Sequence, residues 1–223
     1  MLKGVIFDMD GILIDSEPLW QDAEIEVLAR IGVQLTREIC KQATGLRTDE
    51  AVAYWYRQHP WHGVSQDEIV DEITNAVEKL IKLKGSKMAG VDQAIELCRE
   101  HGLRLALASS SCVRIINTVL EKLRLTGVFE VLHSGEFEEY GKPHPGIFVT
   151  TLNKLELNHT EAFVIEDSFY GILAAKSARM RVVAVPEASV RDEEKYGIAD
   201  IRLASLEELT ESHLRQLNSE INP

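Results

Sequence analysis

Between Leu103 and Leu203 short apolar runs alternate with segments of helical periodicity, and this alternation narrows the possible folds more than any other feature. The runs are Leu103 to Ala108, Phe129 to His133, Ala162 to Ile165, Arg181 to Val185 and Ile201 to Leu203, with helical patterns over Val113 to Leu123, Gly146 to Leu155 and Gly171 to Ala178. Strands that alternate with helices make a parallel sheet, and a continuous apolar run is what a strand covered on both faces looks like. The expected fold is α/β with a doubly wound parallel sheet. A last helix, capped by Ser205 and Glu208, precedes a ragged polar end from Asn218 to Pro223.

One more apolar run opens the chain. Leu2 to Phe7 stops at Asp8-Met9-Asp10-Gly11, which puts two carboxylates at a strand's carboxyl end, where open parallel sheets bind ligands. Alone, this is also an ordinary polar turn leaving a core. A strand-helix-strand crossover needs about thirty residues, and the stretch before the next strand at Leu103 is far longer. Its excess is helical throughout. Trp20, Ala23, Val27, Leu28 and Ile31 mark one face up to Gly32, Thr48 caps a segment reaching His59, and Ser65 with Glu68 forms a capping box for a helix running to about Lys84. Residues 16–86 are therefore expected to be an inserted helical cap, with a return hinge at Lys84 to Lys87. Residues 1–15 and 87–223 form the catalytic core, entered through a helix from Val91 to His101 that Gly102 ends.

The 223 residues, 45% of them hydrophobic, suffice for a buried core, so a monomer is expected. A net charge of −12 opposes binding to nucleic acid or an anionic membrane. A phosphate-bearing small molecule needs a local positive site instead. Cys40, Cys98 and Cys112 are odd in number, far apart and embedded in apolar patterns, and read as reduced core thiols. Met1 leads straight into a strand without a leader-like stretch, and no apolar run approaches membrane-spanning length, so the expected location is cytoplasmic.

The strand ends carry complementary chemistry. Asp8 and Asp10 follow the first strand, Ser109, Ser110 and Ser111 the second, and Glu166 and Asp167 the fourth, with Lys142 between them in Gly141-Lys142-Pro143-His144-Pro145. A carboxylate attacking a phosphate dianion meets strong repulsion. A divalent cation held by Asp8, Glu166 and Asp167 removes it, and all-oxygen ligands suit Mg²⁺. The Ser109 hydroxyl and the Ser110 amide can bind phosphate oxygens at a helix start, while Lys142 adds fixed positive charge. Asp10 is placed to protonate the leaving alkoxide, a contribution of roughly two to four orders of magnitude, and then to activate water against the aspartyl phosphate.

These residues resemble the haloacid dehalogenase superfamily, in its branch of sugar-phosphate phosphatases and β-phosphoglucomutases with a helical cap. The resemblance spans essentially the whole chain: Asp8-Met9-Asp10-Gly11 with Asp15-Ser16-Glu17, Ala108-Ser109-Ser110, Gly141-Lys142-Pro143, and Glu166-Asp167-Ser168 with Gly171, Ala174 and Ala175. It implies a Rossmann-like core, a phosphorylated Asp8, and Mg²⁺ bound by Asp8, the Asp10 carbonyl, Glu166 and Asp167, with Asp167 the firmer of the last two. Asp10 speaks against the dehalogenases and the phosphonatases of the superfamily. The mutases carry a His where this chain has Trp20, which favours hydrolysis over the alternative, a β-phosphoglucomutase-type isomerase. Asp15 through Trp20, the Trp55-Tyr56 and Pro60-Trp61 pairs, and Glu166 through Phe169 are similar to the bacterial 2-deoxyglucose-6-phosphate and hexitol-phosphate phosphatase group, which accepts several hexose and hexitol phosphates.

The four motifs handle only the phosphoryl group, so the choice of alcohol is expected to lie in the inserted helices. Arg47, in a loop before a helix, is placed to reach a sugar hydroxyl or phosphate, and Glu17 lies beside the first hinge. Trp20 fits the apolar stripe of its helix and is expected in the core. Trp55, Tyr56 and Trp61 are expected to pack a small bundle rather than carry a sugar ring.

Overall fold

The computed structural model describes residues 1–219. Six strands, β1 (Gly4–Phe7), β2 (Arg104–Ser109), β3 (Val131–Ser134), β4 (Ala162–Glu166), β5 (Arg181–Ala184) and β6 (Ile201–Arg202), form one parallel sheet in the order β3-β2-β1-β4-β5-β6. This is the Rossmann-like, doubly wound arrangement, whose strand order reverses between β1 and β4. All four residues of β1 are buried, and they divide by the two-residue period of a strand. Val5 and Phe7 join the core beneath α5 (Val91–Glu100) and α6 (Val113–Lys122), while Ile6 joins the one beneath α7 (Gly146–Lys154) and α8 (Phe169–Ser177).

Between β1 and α5 lie α1 (Glu17–Arg30), the short α2 (Arg37–Cys40), α3 (Thr48–Gln58) and α4 (Gln66–Lys84). Ser65 caps α4 reciprocally: its hydroxyl accepts from the Glu68 N–H at 3.2 Å and its own N–H donates to Glu68 Oε2 at 2.8 Å. The expected cap of α3 is corrected by one residue. Arg47 holds the extended N-cap conformation, and Thr48 is already helical. The outgoing and returning chains run side by side, the Asp15 N–H donating to the Ser86 carbonyl and the Met88 N–H to that of Leu13, both at 3.0 Å.

The C-terminal expectation also changes. Ser205 caps only a single 3-10 turn, Leu206–Glu208, and the last helix, α9 (Glu211–Ser219), starts after Thr210. Its last turn takes in Asn218, where a ragged end is expected, and residues 220–223 lie outside the described residues. Cys40 and Cys98 are buried, whereas Cys112 is half-buried at the start of α6, and all three are free thiols. Trp55 is fully buried and Trp61 nearly so, with Tyr54 and Tyr56 edge-on against them, which is packing rather than a sugar platform. No helix of the described residues is long and apolar enough to cross a membrane.

Candidate active site

Pairing registers fix the site. Phe7 lies opposite Leu107 and Ile165, so the residues that follow β1, β2 and β4 leave the sheet at one level. Asp8, Asp10, Lys142 and Asp167 line one cleft with Ser110 and Ser111, facing Glu17, Trp20, Gln21 and Glu24 of α1 across it. The cleft measures about 740 Å³ including its open mouth.

Lys142 is 4% exposed and ion-paired at 2.6 Å to both Asp8 Oδ1 and Glu166 Oε1. Burial works against its charge, but the two carboxylates outweigh it and hold the ammonium above its usual range. Glu166 is fully buried, and its Oε2 accepts from the Ser168 N–H at 2.9 Å and the Ser168 hydroxyl at 3.0 Å. That hydroxyl in turn caps α8 by accepting from the Gly171 N–H. A Cβ on Gly171 would sit 1.7 Å from Glu166 Oε1, so this helix start tolerates no side chain there.

Asp8, Glu166 and Asp167 each bring an oxygen within 4.8 Å of the others. Three carboxylates against one lysine leave the cluster short of positive charge. Burial, reinforced by the neighbouring carboxylates, pushes Asp8 up to about 8 against the pull of Lys142, and raises Asp167 well above the carboxylate range. An all-oxygen set with excess negative charge fits Mg²⁺. Both Glu166 oxygens are already engaged, which leaves Asp8 and Asp167 the better placed direct ligands. Gly11, at φ +75°, keeps Asp167 in place: a Cβ there would lie 2.0 Å from its Oδ2.

Asp10 is held from two sides. Its Oδ1 accepts from the Ser16 hydroxyl at 2.6 Å and the Trp20 indole N–H at 3.0 Å; its Oδ2 accepts from the Ser111 hydroxyl at 2.8 Å and, more loosely, from Ser109 at 3.4 Å. Trp20, expected in the core, thus touches both: it packs on the core cluster and turns its N–H to Asp10. Ser109, expected on phosphate, is fully buried and points at Asp10, and its oxygen accepts from the Ser111 N–H. Ser110 and Ser111 line the cleft, together with Ser168.

Arg47 departs furthest from expectation. Its guanidinium pairs with Asp49 and donates to the Gly135 carbonyl at 3.0 Å and the Glu138 carbonyl at 2.7 Å, outside the cleft lining. Glu50 accepts from the Gly141 N–H at 2.9 Å, so the start of α3 clasps the loop that presents Lys142. Glu17 lines the cleft, held by the Thr44 hydroxyl at 2.7 Å and Gln21 at 3.0 Å. Gln21 and Glu24 were not singled out, although their spacing from Glu17 by four and seven residues marks one helix face.

A buried carboxylate-lysine site at the reversal point of a doubly wound sheet is suited to holding a phosphoryl group and the charge that develops on it. Residues 5–185 match the family model of the haloacid dehalogenase-like hydrolases. Hexitol phosphatase B of Escherichia coli (strain K12) is 39% identical over 214 residues, 96% of each chain. A phosphorylated carbohydrates phosphatase of Thermotoga maritima is 30% identical over 79% of this chain and 82% of its own. The crystal structure of CbbY from Rhodobacter sphaeroides in complex with phosphate superposes with a TM-score of 0.85 at 27% identity, covering 94% of this chain and 96% of that one. The chain belongs to the haloacid dehalogenase-like hydrolase family, and it is a phosphoric monoester hydrolase within it.

Proposed function

We propose that the protein is a Mg²⁺-dependent phosphatase of small sugar or sugar-alcohol phosphates, working through a phosphorylated Asp8 beneath a helical cap of residues 16–86. The observation that carries this reading is the pair of aspartates in one cleft with distinct surroundings. Asp8 is held by Lys142, whereas Asp10 is held by hydroxyls and an indole N–H. The named hexitol and carbohydrate phosphatases among the relatives support the substrate class.

In this mechanism Asp8 attacks phosphorus while the bond to the alcohol oxygen breaks, and Asp10 gives that oxygen its proton. Asp10, now ionised, takes a proton from water, which attacks the phosphoryl group and frees Asp8 and phosphate. Lys142 stabilises charge on both the transferring group and Asp8. Asp8 and Asp167, with Glu166 and the Asp10 carbonyl, would hold Mg²⁺, which supplies neutralisation of the phosphate charge. Trp20 weighs against the mutase alternative. An indole N–H only donates, so the side chain at this position cannot relay a proton.

Phosphate release from hexose, hexitol, pentose and glycerol monophosphates, with Mg²⁺ and with EDTA, tests the proposal. Release is expected to require the metal and to concentrate on hexose or hexitol 6-phosphates. Asp8→Asn is expected to lose at least about 10⁴-fold in turnover. A folded Asp8→Asn protein with wild-type turnover removes the covalent mechanism, and isomerised product without free phosphate removes the hydrolase.

A further inference from the structure

The loop that presents Lys142 is where the inserted helices and the sheet side of the molecule meet. Arg47 donates to the carbonyls of Gly135 and Glu138, at 3.0 and 2.7 Å, and Glu50 accepts from the Gly141 N–H at 2.9 Å. All three bonds fall within residues 135–141, a single 3-10 turn (Gly135–Phe137) followed by extended backbone at Glu138. Such a segment gets no support from a ladder of sheet or helix bonds, so its side chains must hold it.

Two of them do. Glu136 accepts from the Val113 N–H at the start of α6, at 3.2 Å and in an exposed position. Glu138 reaches the other way, beneath the loop, where its Oε1 lies 2.7 Å from Nε2 of His133 on β3. The His133 side chain is 2% exposed and that of Glu138 12%, so water is a poor substitute for either partner. The Phe137 ring stacks over the imidazole.

The chemistry of the partners assigns the proton. On the far side of the ring the Lys154 ammonium of α7 lies 3.0 Å from Nδ1, and an ammonium only donates, so Nδ1 accepts. Burial works against a charge on Glu138, but the bonds from His133 and the Thr150 side chain outweigh it and hold the carboxyl below its usual range. An ionised carboxylate only accepts. Nε2 therefore carries the proton and donates it to Glu138, and Lys154, His133 and Glu138 form one directed chain from α7 to the loop. Glu138 is thus bonded on two sides, by its carboxylate to β3 and by its carbonyl to Arg47.

We propose that His133 and Glu138 are positioning residues: their buried hydrogen bond sets the loop where Arg47 and Glu50 dock on it and where Lys142 reaches Asp8 and Glu166. The pair touches no reacting atom. It acts through the loop, and so couples the placement of the inserted helices to that of Lys142. An apolar pair of similar size would fill the same space, yet packing is non-directional and would not orient the Glu138 carbonyl. That difference separates positioning from packing.

The test is a cycle of His133→Leu, Glu138→Leu and the double variant, with His133→Gln as the conservative replacement, because a Gln amide both donates and accepts. Each is read by Tm, by the rate of protease cutting between 30 and 50, and by kcat and KM for a hexose 6-phosphate with Mg²⁺. The single variants strand one buried polar partner and are expected to melt below wild type, whereas the double variant, which replaces both, regains most of that loss. Function is expected not to follow stability. In the double variant cutting stays at least about threefold faster than in wild type, and kcat/KM about tenfold lower, with kcat sharing the fall because Lys142 is displaced. His133→Gln stays within about threefold of wild type in both. A double variant that regains wild-type cutting and kcat/KM together with its Tm overturns the proposal and leaves the pair as packing. An equal impairment of His133→Gln and His133→Leu overturns it as well. Should the Leu variants fail to fold by circular dichroism, Glu138→Asp and Glu138→Gln decide: the first keeps the charge but withdraws the acceptor by one methylene, the second keeps the acceptor in place. Faster cutting is expected in Glu138→Asp, and an equal or reversed order overturns the proposal. The activity readout rests on the phosphatase reading; if the wild-type protein releases phosphate from no ester, that reading falls and the cutting rates still decide this one.

Discussion

The two walls of the cleft hold polar groups in opposite ways. At the sheet's end three of the four acidic groups are tied down: Lys142 bridges Asp8 and Glu166, Ser168 closes off Glu166, and four donors surround Asp10. On α1, Glu24 is buried with only the Cys40 thiol and the Trp55 indole beside it. The first wall is preorganised for a step that is the same for every phosphate ester, so its groups are fixed before substrate arrives. The second takes no part in that step, and its buried carboxylate is held by neutral groups without a cation.

Breaking the preassembled wall is expected to have the largest effect. Lys142→Met leaves Asp8 and Glu166 buried together without their cation, and losing one partner of a buried ion pair costs about 3–5 kcal/mol. Unfolding midpoints are expected to fall accordingly, and turnover by about 10³-fold. Mg²⁺ is expected to recover part of the stability but little of the rate, since it can neutralise the carboxylates without replacing a hydrogen-bond donor. Full recovery of both would mean that Lys142 serves only as counter-charge.

The wall on α1 gives the opposite sign. Burial, reinforced by the charge of Glu17, raises Glu24 from near 4.5 to about 7, with the Cys40 thiol, itself pushed up to about 12, beside it. A raised carboxyl pKa means that the folded state prefers the protonated form. Its contribution to stability is intact below about pH 4.5 and is lost as the pH rises through about 7. The loss amounts to about 3 kcal/mol at most. Glu24→Gln, which carries no charge, is therefore expected to melt roughly 5–10 °C higher than wild type at pH 8.5, with the gap closing toward pH 4.5. A gap that does not change with pH would show Glu24 ionised and satisfied in the folded protein.

The same contrast explains what could be read from sequence. Asp8, Ser110, Glu166 and Asp167 stand at or beside strand ends, Lys142 lies in the loop that follows β3, and a parallel sheet brings its strand ends together whatever the side chains do. Their meeting therefore followed from the order of the elements. The residues of the helical segment are placed by packing between elements, which periodicity does not reveal. Trp20 fits an apolar stripe and also reaches Asp10. Arg47 precedes a helix that faces the Lys142 loop and is consumed there. The polar face of α1 left a trace, Glu17, Gln21 and Glu24 at helical spacing, yet in a sequence it looks like a solvated side. Only the opposing wall of the cleft shows that it is buried.

Trp20 joins the two walls, because it reaches from α1 to Asp10 on the sheet side. Trp20→Phe keeps the ring and removes the N–H, and a hydrogen bond contributes about 0.5–1.5 kcal/mol net. We expect kcat to fall by up to about tenfold with KM nearly constant, and Trp20→His, which restores an N–H, to recover part of it. A change confined to KM would mean that Trp20 acts on substrate binding instead.

The smallest effect is expected from Arg47, where the sequence and the structure disagree. If Arg47 held the substrate, Arg47→Ala would raise KM tenfold or more, as loss of a charged contact does. In the structure its bonds run to the Gly135 and Glu138 carbonyls, so it ties the start of α3 to the loop bearing Lys142. Removing a tie lowers the population of the closed arrangement without altering any group that touches the ester. A lid that closes less often lowers kcat/KM modestly, and where release of product limits the cycle it leaves kcat unchanged or raises it. Arg47→Ala is therefore expected to lose about threefold in kcat/KM and to be cut faster by protease between 30 and 50, with saturation by the bound ester reversing that sensitivity. The Asp49 pairing makes the contrast sharper still. Asp49→Asn frees the guanidinium from its local partner but spares both carbonyl bonds, so under the structural account it leaves kcat/KM within twofold of wild type, whereas a substrate-binding Arg47 released from Asp49 would bind the ester more tightly and lower KM.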